Sequence, residues 1–124
     1  MQSSVVAVVD DDANVLKATQ ALLRSRGFTP LAYSSAESFL QSSGGRQARC
    51  LILDVNLPCL SGVQLHEQLR REGVEIPALL VTGGPTLGEL LGSPSPPAGV
   101  VAVLEKPFDG DELLRWVGLA VGHR

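Results

Sequence analysis

The chain has 124 residues, 44% hydrophobic and 19% charged, with a formal net charge of −3. That size and composition suit one globular domain with a real core, and an acidic balance with a pI near 5.3 argues against direct nucleic-acid binding. No apolar run approaches the ~20 residues a bilayer span requires, and no basic stretch followed by an apolar one opens the chain, so no membrane contact is expected and the expected compartment is the cytoplasm.

Val5-Val6-Ala7-Val8-Val9 is a short β-branched run, as expected of a strand buried on both faces. It ends in Asp10-Asp11-Asp12. A helix is expected over 13–26, with Val15, Ala18, Ala21 and Leu22 on its apolar face and Gly27 as its stop. Residues 28–33 read as a second strand. Ser34 and Glu37 fit a capping box for a helix carrying Phe39 and Leu40.

Residues 48–54 form the third expected strand, which delivers Asp54 to its C-terminal tip before the chain turns through Pro58 and Gly62. Ser61 with Gln64 is a second capping box, for a helix with Val63, Leu65 and Leu69 on its apolar side, ending at Gly73. A fourth strand is expected over 76–82, with Pro77 near its start because a central strand cannot spare that N–H. Gly88 and the Pro-rich stretch Pro94-Ser95-Pro96-Pro97 leave the fourth helix short or irregular. Residues 100–104 form the fifth strand. Asp109 caps a last helix, with Glu112 completing the box and Leu113, Trp116, Val117 and Ala120 as its buried stripe.

Cys50 and Cys59 are too widely spaced for a zinc or CxxC motif and read as reduced thiols. Cys50 is expected to pack near a strand start and Cys59 to lie in the loop after Asp54. His66 and His123 lack ligand-spaced partners and read as packed or solvated.

Strands and helices alternate throughout, which implies an α/β flavodoxin-like doubly wound (βα)5 fold with a parallel five-stranded sheet of order 2-1-3-4-5. That order sets Asp10 and Asp11 beside Asp54. Converging carboxylates destabilise one another, and a divalent cation resolves the conflict; hard oxygen ligands suit Mg²⁺. Thr82 at the fourth tip offers a hydroxyl and Lys106 after the fifth strand an ammonium. Such a set can bind a transferring phosphoryl group while Asp54 attacks phosphorus. Taken singly, Asp12 is as well explained as a helix N-terminal acid, Thr82 as a strand-end residue and Lys106 as a solvated charge; their joint placement carries the reading.

Val8-Val9-Asp10-Asp11, Leu53-Asp54-Val55-Asn56-Leu57-Pro58 with Gly62, Val81-Thr82-Gly83 and Glu105-Lys106-Pro107-Phe108 resemble the motifs of bacterial response-regulator receiver domains. Ser35-Ala36-Glu37-Ser38-Phe39-Leu40 and Lys106-Pro107-Phe108 resemble receivers of the nitrogen-fixation regulator type. The resemblance implies a receiver spanning 1–124 with no output domain present, and phosphoryl acceptance on Asp54 from a sensor histidine kinase or a histidine phosphotransfer protein. It implies Mg²⁺ held by Asp11, Asp54 and the Asn56 backbone carbonyl, with Asp10 acting through water, and Thr82 and Lys106 on the phosphoryl oxygens. It implies a cis Lys106–Pro107 bond, and room for the phosphate beside Gly83. A homodimer, and a DNA-binding output domain in a longer chain, are compatible with it. Turnover of the protein's own phosphoryl group is expected, not enzymatic conversion of a separate substrate.

Two departures stand out. Val103 occupies a position that is usually aromatic in the family and moves with the threonine. The broken fourth helix alters a face that usually carries dimerisation and output. The alternative reading is therefore a degenerate receiver that binds a partner independently of phosphorylation.

Overall fold

The computed structural model describes residues 4–57, 60–83 and 98–122. The elements run β1 (Val5–Val9), α1 (Ala13–Ser25), β2 (Thr29–Tyr33), α2 (Ala36–Leu40), a 3-10 turn (Gly45–Gln47), β3 (Cys50–Asp54), α3 (Gly62–Arg71), β4 (Ala78–Thr82), β5 (Val100–Glu105) and α4 (Gly110–Gly122). The expectations for Pro58, Cys59, His123 and the fourth helix at Gly88 and Pro94–Pro97 lie outside the described residues.

The strands form one sheet of order β2-β1-β3-β4-β5, all neighbours parallel, as the alternation implied. Every residue of β3 and β4 is buried, which their unbroken apolar runs anticipate. Successive side chains point to opposite faces, so two cores form. Ala7, Val9, Leu51, Leu53 and Leu80 pack under α2 and α3 with Phe39, Leu65 and Leu69. Val6, Val8, Ile52, Leu79 and Val81 pack under α1 and α4 with Leu16, Leu23, Leu113 and Val117. A register shift at Ala78/Leu79 brings Leu79 opposite Ala102 and Thr82 opposite Glu105.

Two local expectations are corrected. The buried residues of α1 are Leu16, Thr19 and Leu23, while Ala18 and Ala21 are exposed and Val15 and Leu22 half-buried. Alanines on both sides of the helix blur its apolar stripe, and the larger leucines decide which side turns inward. The cap of α2 is Ser35, not Ser34: its hydroxyl accepts from the Ser38 amide. The capping box of Ser61 with Gln64 is present as read, both bonds formed.

Candidate functional site

All five strands end on one edge of the sheet, and the chains leaving β1 and β3 diverge to opposite faces. A crevice opens there. Asp10 directly follows β1, its amide held by the Tyr33 carbonyl at 3.1 Å. Asp54 is the last residue of β3, and the next amide, Val55, continues the ladder to the Val81 carbonyl at 2.9 Å. Asp10 and Asp54 are 3% and 4% exposed, while Asp11 is exposed. One carboxylate oxygen from each of the three lies within 4.8 Å of the others.

Lys106 closes the cluster. Its Nζ donates to Asp10 Oδ2 at 2.9 Å and to Asp54 Oδ2 at 3.2 Å. Its backbone amide donates to the Thr82 carbonyl at 2.8 Å, which ties the lysine to the tip of β4, and Lys106–Pro107 is cis as expected. Thr82 itself is 1% exposed. The other carboxylate oxygens are held locally: Asp10 Oδ1 accepts from the Asp12 amide at 2.8 Å and Asp54 Oδ1 from the Asn56 amide at 2.9 Å. Asp12 is the N-cap of α1, accepting from the amides of Asn14 and Val15, so the helix-terminal explanation holds for it. The sequence-selected residues Asp10, Asp11, Asp54, Thr82 and Lys106 are thus brought to one edge, with the Asn56 amide beside Asp54.

The electrostatics are lopsided. Burial raises the Asp54 carboxyl above its ordinary value, and the Asp10 charge adds to this; the Asn56 amide and the Lys106 ammonium pull the other way without cancelling it. For Lys106 the loss of water disfavours the charge, yet its bonds to Asp10 and Asp54 outweigh that and the ammonium is held above its ordinary value. One cation facing two carboxylates gains from both. Asp54 shares that cation and also faces a like charge. The donor set is short of positive charge, and its hard oxygens suit a divalent ion such as Mg²⁺.

Gly62 is a positioning residue whose reason was not visible in the sequence. It opens α3 directly against the end of β3, and a Cβ there would collide with the Asp54 carbonyl oxygen. Gly83 is different: a Cβ would meet Lys106 Cδ at 3.5 Å, an ordinary contact. Val103 is half-buried against the α2–α3 core, opposite Leu80 in the ladder.

A doubly wound parallel sheet with an acidic crevice and a lysine at its strand tips defines a CheY-like α/β domain. The chain belongs to the response regulator receiver domain family, whose model matches residues 6–117. It is 37% identical over 114 residues to the response regulator protein TmoT of Ectopseudomonas mendocina, covering 91% of this chain and 50% of that protein. It is 32% identical over 117 residues to the transcriptional regulatory protein FixJ of Bradyrhizobium diazoefficiens, covering 94% of this chain and 56% of that protein. The chain therefore spans about half the length of these curated relatives. Among solved structures, FixJ-N matches with a TM-score of 0.84 at 30% identity, covering 100% of this chain and 98% of that one. The response regulator StyR matches with a TM-score of 0.82 at 31% identity, covering 97% and 60%.

Proposed function

We propose that this receiver accepts a phosphoryl group on Asp54 from a phosphohistidine of a sensor kinase or histidine phosphotransfer protein. The observation that supports it is the buried Asp54 carboxylate at the β3 tip, within reach of a lysine and two further acids. A bond from an Asp54 carboxylate oxygen to phosphorus forms as the phosphorus–nitrogen bond of the donor breaks, and its electron pair returns to the imidazole. Lys106 leaves its bond to Asp54 for a phosphoryl oxygen, and the Thr82 hydroxyl contacts another. The Asn56 amide holds the second Asp54 oxygen in line. Asp10, Asp11, Asp54 and the Asn56 carbonyl would hold Mg²⁺, which when bound neutralises charge on the phosphoryl oxygens.

The test is intact mass after incubation with Mg²⁺ and a small-molecule phosphodonor. Wild type should gain one phosphoryl group and Asp54→Asn none. No gain by wild type, or an equal gain by the variant, refutes the reading. In a longer protein the phosphorylated domain would control an output such as DNA binding.

Val103 motivates a second reading, a receiver that binds its partner irrespective of phosphorylation. Its aliphatic side chain packs against the core and offers no aromatic ring to move with Thr82. Partner affinity that changes strongly on phosphorylation would exclude it.

A further inference from the structure

At the opposite edge of the sheet, the lead-ins to β4 and β5 meet the flank of α3 at a buried histidine. His66 is 3% exposed, and its Nε2 lies 3.2 Å from the Ile76 carbonyl oxygen. A carbonyl only accepts, so Nε2 carries the proton and donates. Gly99 presses on the same ring: a Cβ there would stand 2.9 Å from His66 Cε1, and its φ of +86° independently favours glycine. One turn along α3, Arg70 donates to the Ala98 carbonyl at 3.3 Å. The Gly99 carbonyl in turn accepts from the Ala78 amide at 3.0 Å, the first residue of β4. Helix and two strand lead-ins are thus joined through one imidazole.

We propose that His66 is a pH-sensitive latch: neutral, it closes the corner between α3, β4 and β5, and its protonation loosens that corner. The phosphoryl chemistry plays no part in this, because the corner lies at the strand starts and the acidic cluster at their tips. Burial holds the imidazole below its ordinary value of 6.5; the bond to Ile76 opposes that, the Arg70 charge reinforces it and the Glu67 charge opposes it. From the lead-in to β4, Glu75 lines the same cavity, and β5 contributes the apolar Val100 and Val101. The charge added on protonation enters a site closed on one side by Gly99 and flanked by a guanidinium. Opening the corner to water is the relief available to it.

The sign follows from linkage. The folded state binds its proton less readily than the unfolded chain, so stability is full above the unfolded value. It falls as pH drops from there towards the folded value, and levels below it. Each unit of depression raises the unfolding constant by up to about tenfold.

The test pairs imidazole titration by NMR with urea unfolding at about pH 7.5 and about pH 5, on wild type and His66→Gln. Glutamine retains a donor for Ile76 and cannot titrate; its spectrum also assigns the His66 resonance. In wild type, the ring should titrate below its ordinary value and the Ala78 amide shift should follow the same midpoint. The wild-type unfolding constant should rise on acidification by up to about tenfold more, per unit of depression, than that of the variant. A ring that titrates at or above its ordinary value, or an Ala78 amide blind to it, overturns the latch. So does an equal loss of stability in both proteins. If His66→Gln does not fold, the wild-type titration and the Ala78 shift decide alone.

Discussion

The two ends of β3 carry one ionisable group each, and burial acts on both. Cys50 at the start is 0% exposed and Asp54 at the tip 4%. Burial pushes the Cys50 thiol up to about 12, which leaves a neutral, inert side chain that packs as a small hydrophobe. Burial raises Asp54 too, but there an amide and an ammonium pull back towards the charged form. Depth alone therefore does not make a reactive group. The tip differs because parallel strands end together and their outgoing chains deliver N–H groups and Lys106 to one place. Between the two ends, the strand interior is purely a packing element.

The largest break in this comparison should come from the interior. Leu53, adjacent to Asp54, is 0% exposed in the α2–α3 core. Leu53→Ala removes its packing and leaves a cavity, at a cost of about 2–5 kcal/mol. Urea unfolding should show this loss at neutral and mildly acidic pH alike, since no proton is involved.

The tip should behave differently. Lys106→Met removes the cation between Asp10 and Asp54 and leaves two buried carboxylates facing each other. The lysine side chain is 23% exposed, so the expected loss at neutral pH is about 1–3 kcal/mol, below that of a fully buried pair. Unlike the Leu53 effect, it should shrink as pH falls and Asp54 protonates, and shrink again on adding Mg²⁺. A loss independent of both would mean that Lys106 matters through its aliphatic stem rather than its charge.

Asp54→Asn should have the opposite sign. A carboxyl raised above its unfolded value of 3.8 costs stability as pH rises through the folded value. The amide sheds the charge and keeps one acceptor oxygen, for the Asn56 N–H, while Lys106 retains its bond to Asp10 Oδ2. The variant should unfold at or above the wild-type midpoint at neutral pH, by up to about 1 kcal/mol. Mg²⁺ should raise the midpoint of wild type and not of the variant. A marked destabilisation would show that the Asp54 charge holds the tip together rather than straining it.

Much of this was legible in the sequence, for identifiable reasons. β3 and β4 read as strands because burial on both faces demands unbroken apolar runs. The sheet order followed from alternation and crossover handedness. The tip residues followed because a polar side chain ending such a run has to have a function or a partner. Local ambiguity hid other features. Ser34 and Ser35 both suit an N-cap, and alanines masked the inward side of α1. Non-local geometry hid the rest. Lys106 meets Asp10 and Asp54 across 96 and 52 residues of chain, so its two hydrogen bonds to them cannot be read from local pattern. His66 reads from sequence as packed or solvated, and helical spacing decides between the two: with Gly62, Leu65 and Leu69 it completes the buried side of α3.

The smallest expected effect sharpens the comparison most directly. Burial pushes the thiol up to about 12, which disfavours the reactive thiolate at pH 8, and the side chain is closed off from water. In a Cys59→Ser background, iodoacetamide should leave Cys50 unlabelled in the native protein and modify it fully in denaturant. Labelling at the rate of a free thiol would mean that the start of β3 opens readily. Burial would then not be what silences Cys50, and the contrast with Asp54 would rest on mobility instead. Silence in the native state, alongside phosphoryl acceptance at Asp54, would instead locate the difference in what surrounds each group: apolar packing at one end of the strand, an amide, a lysine and neighbouring acids at the other.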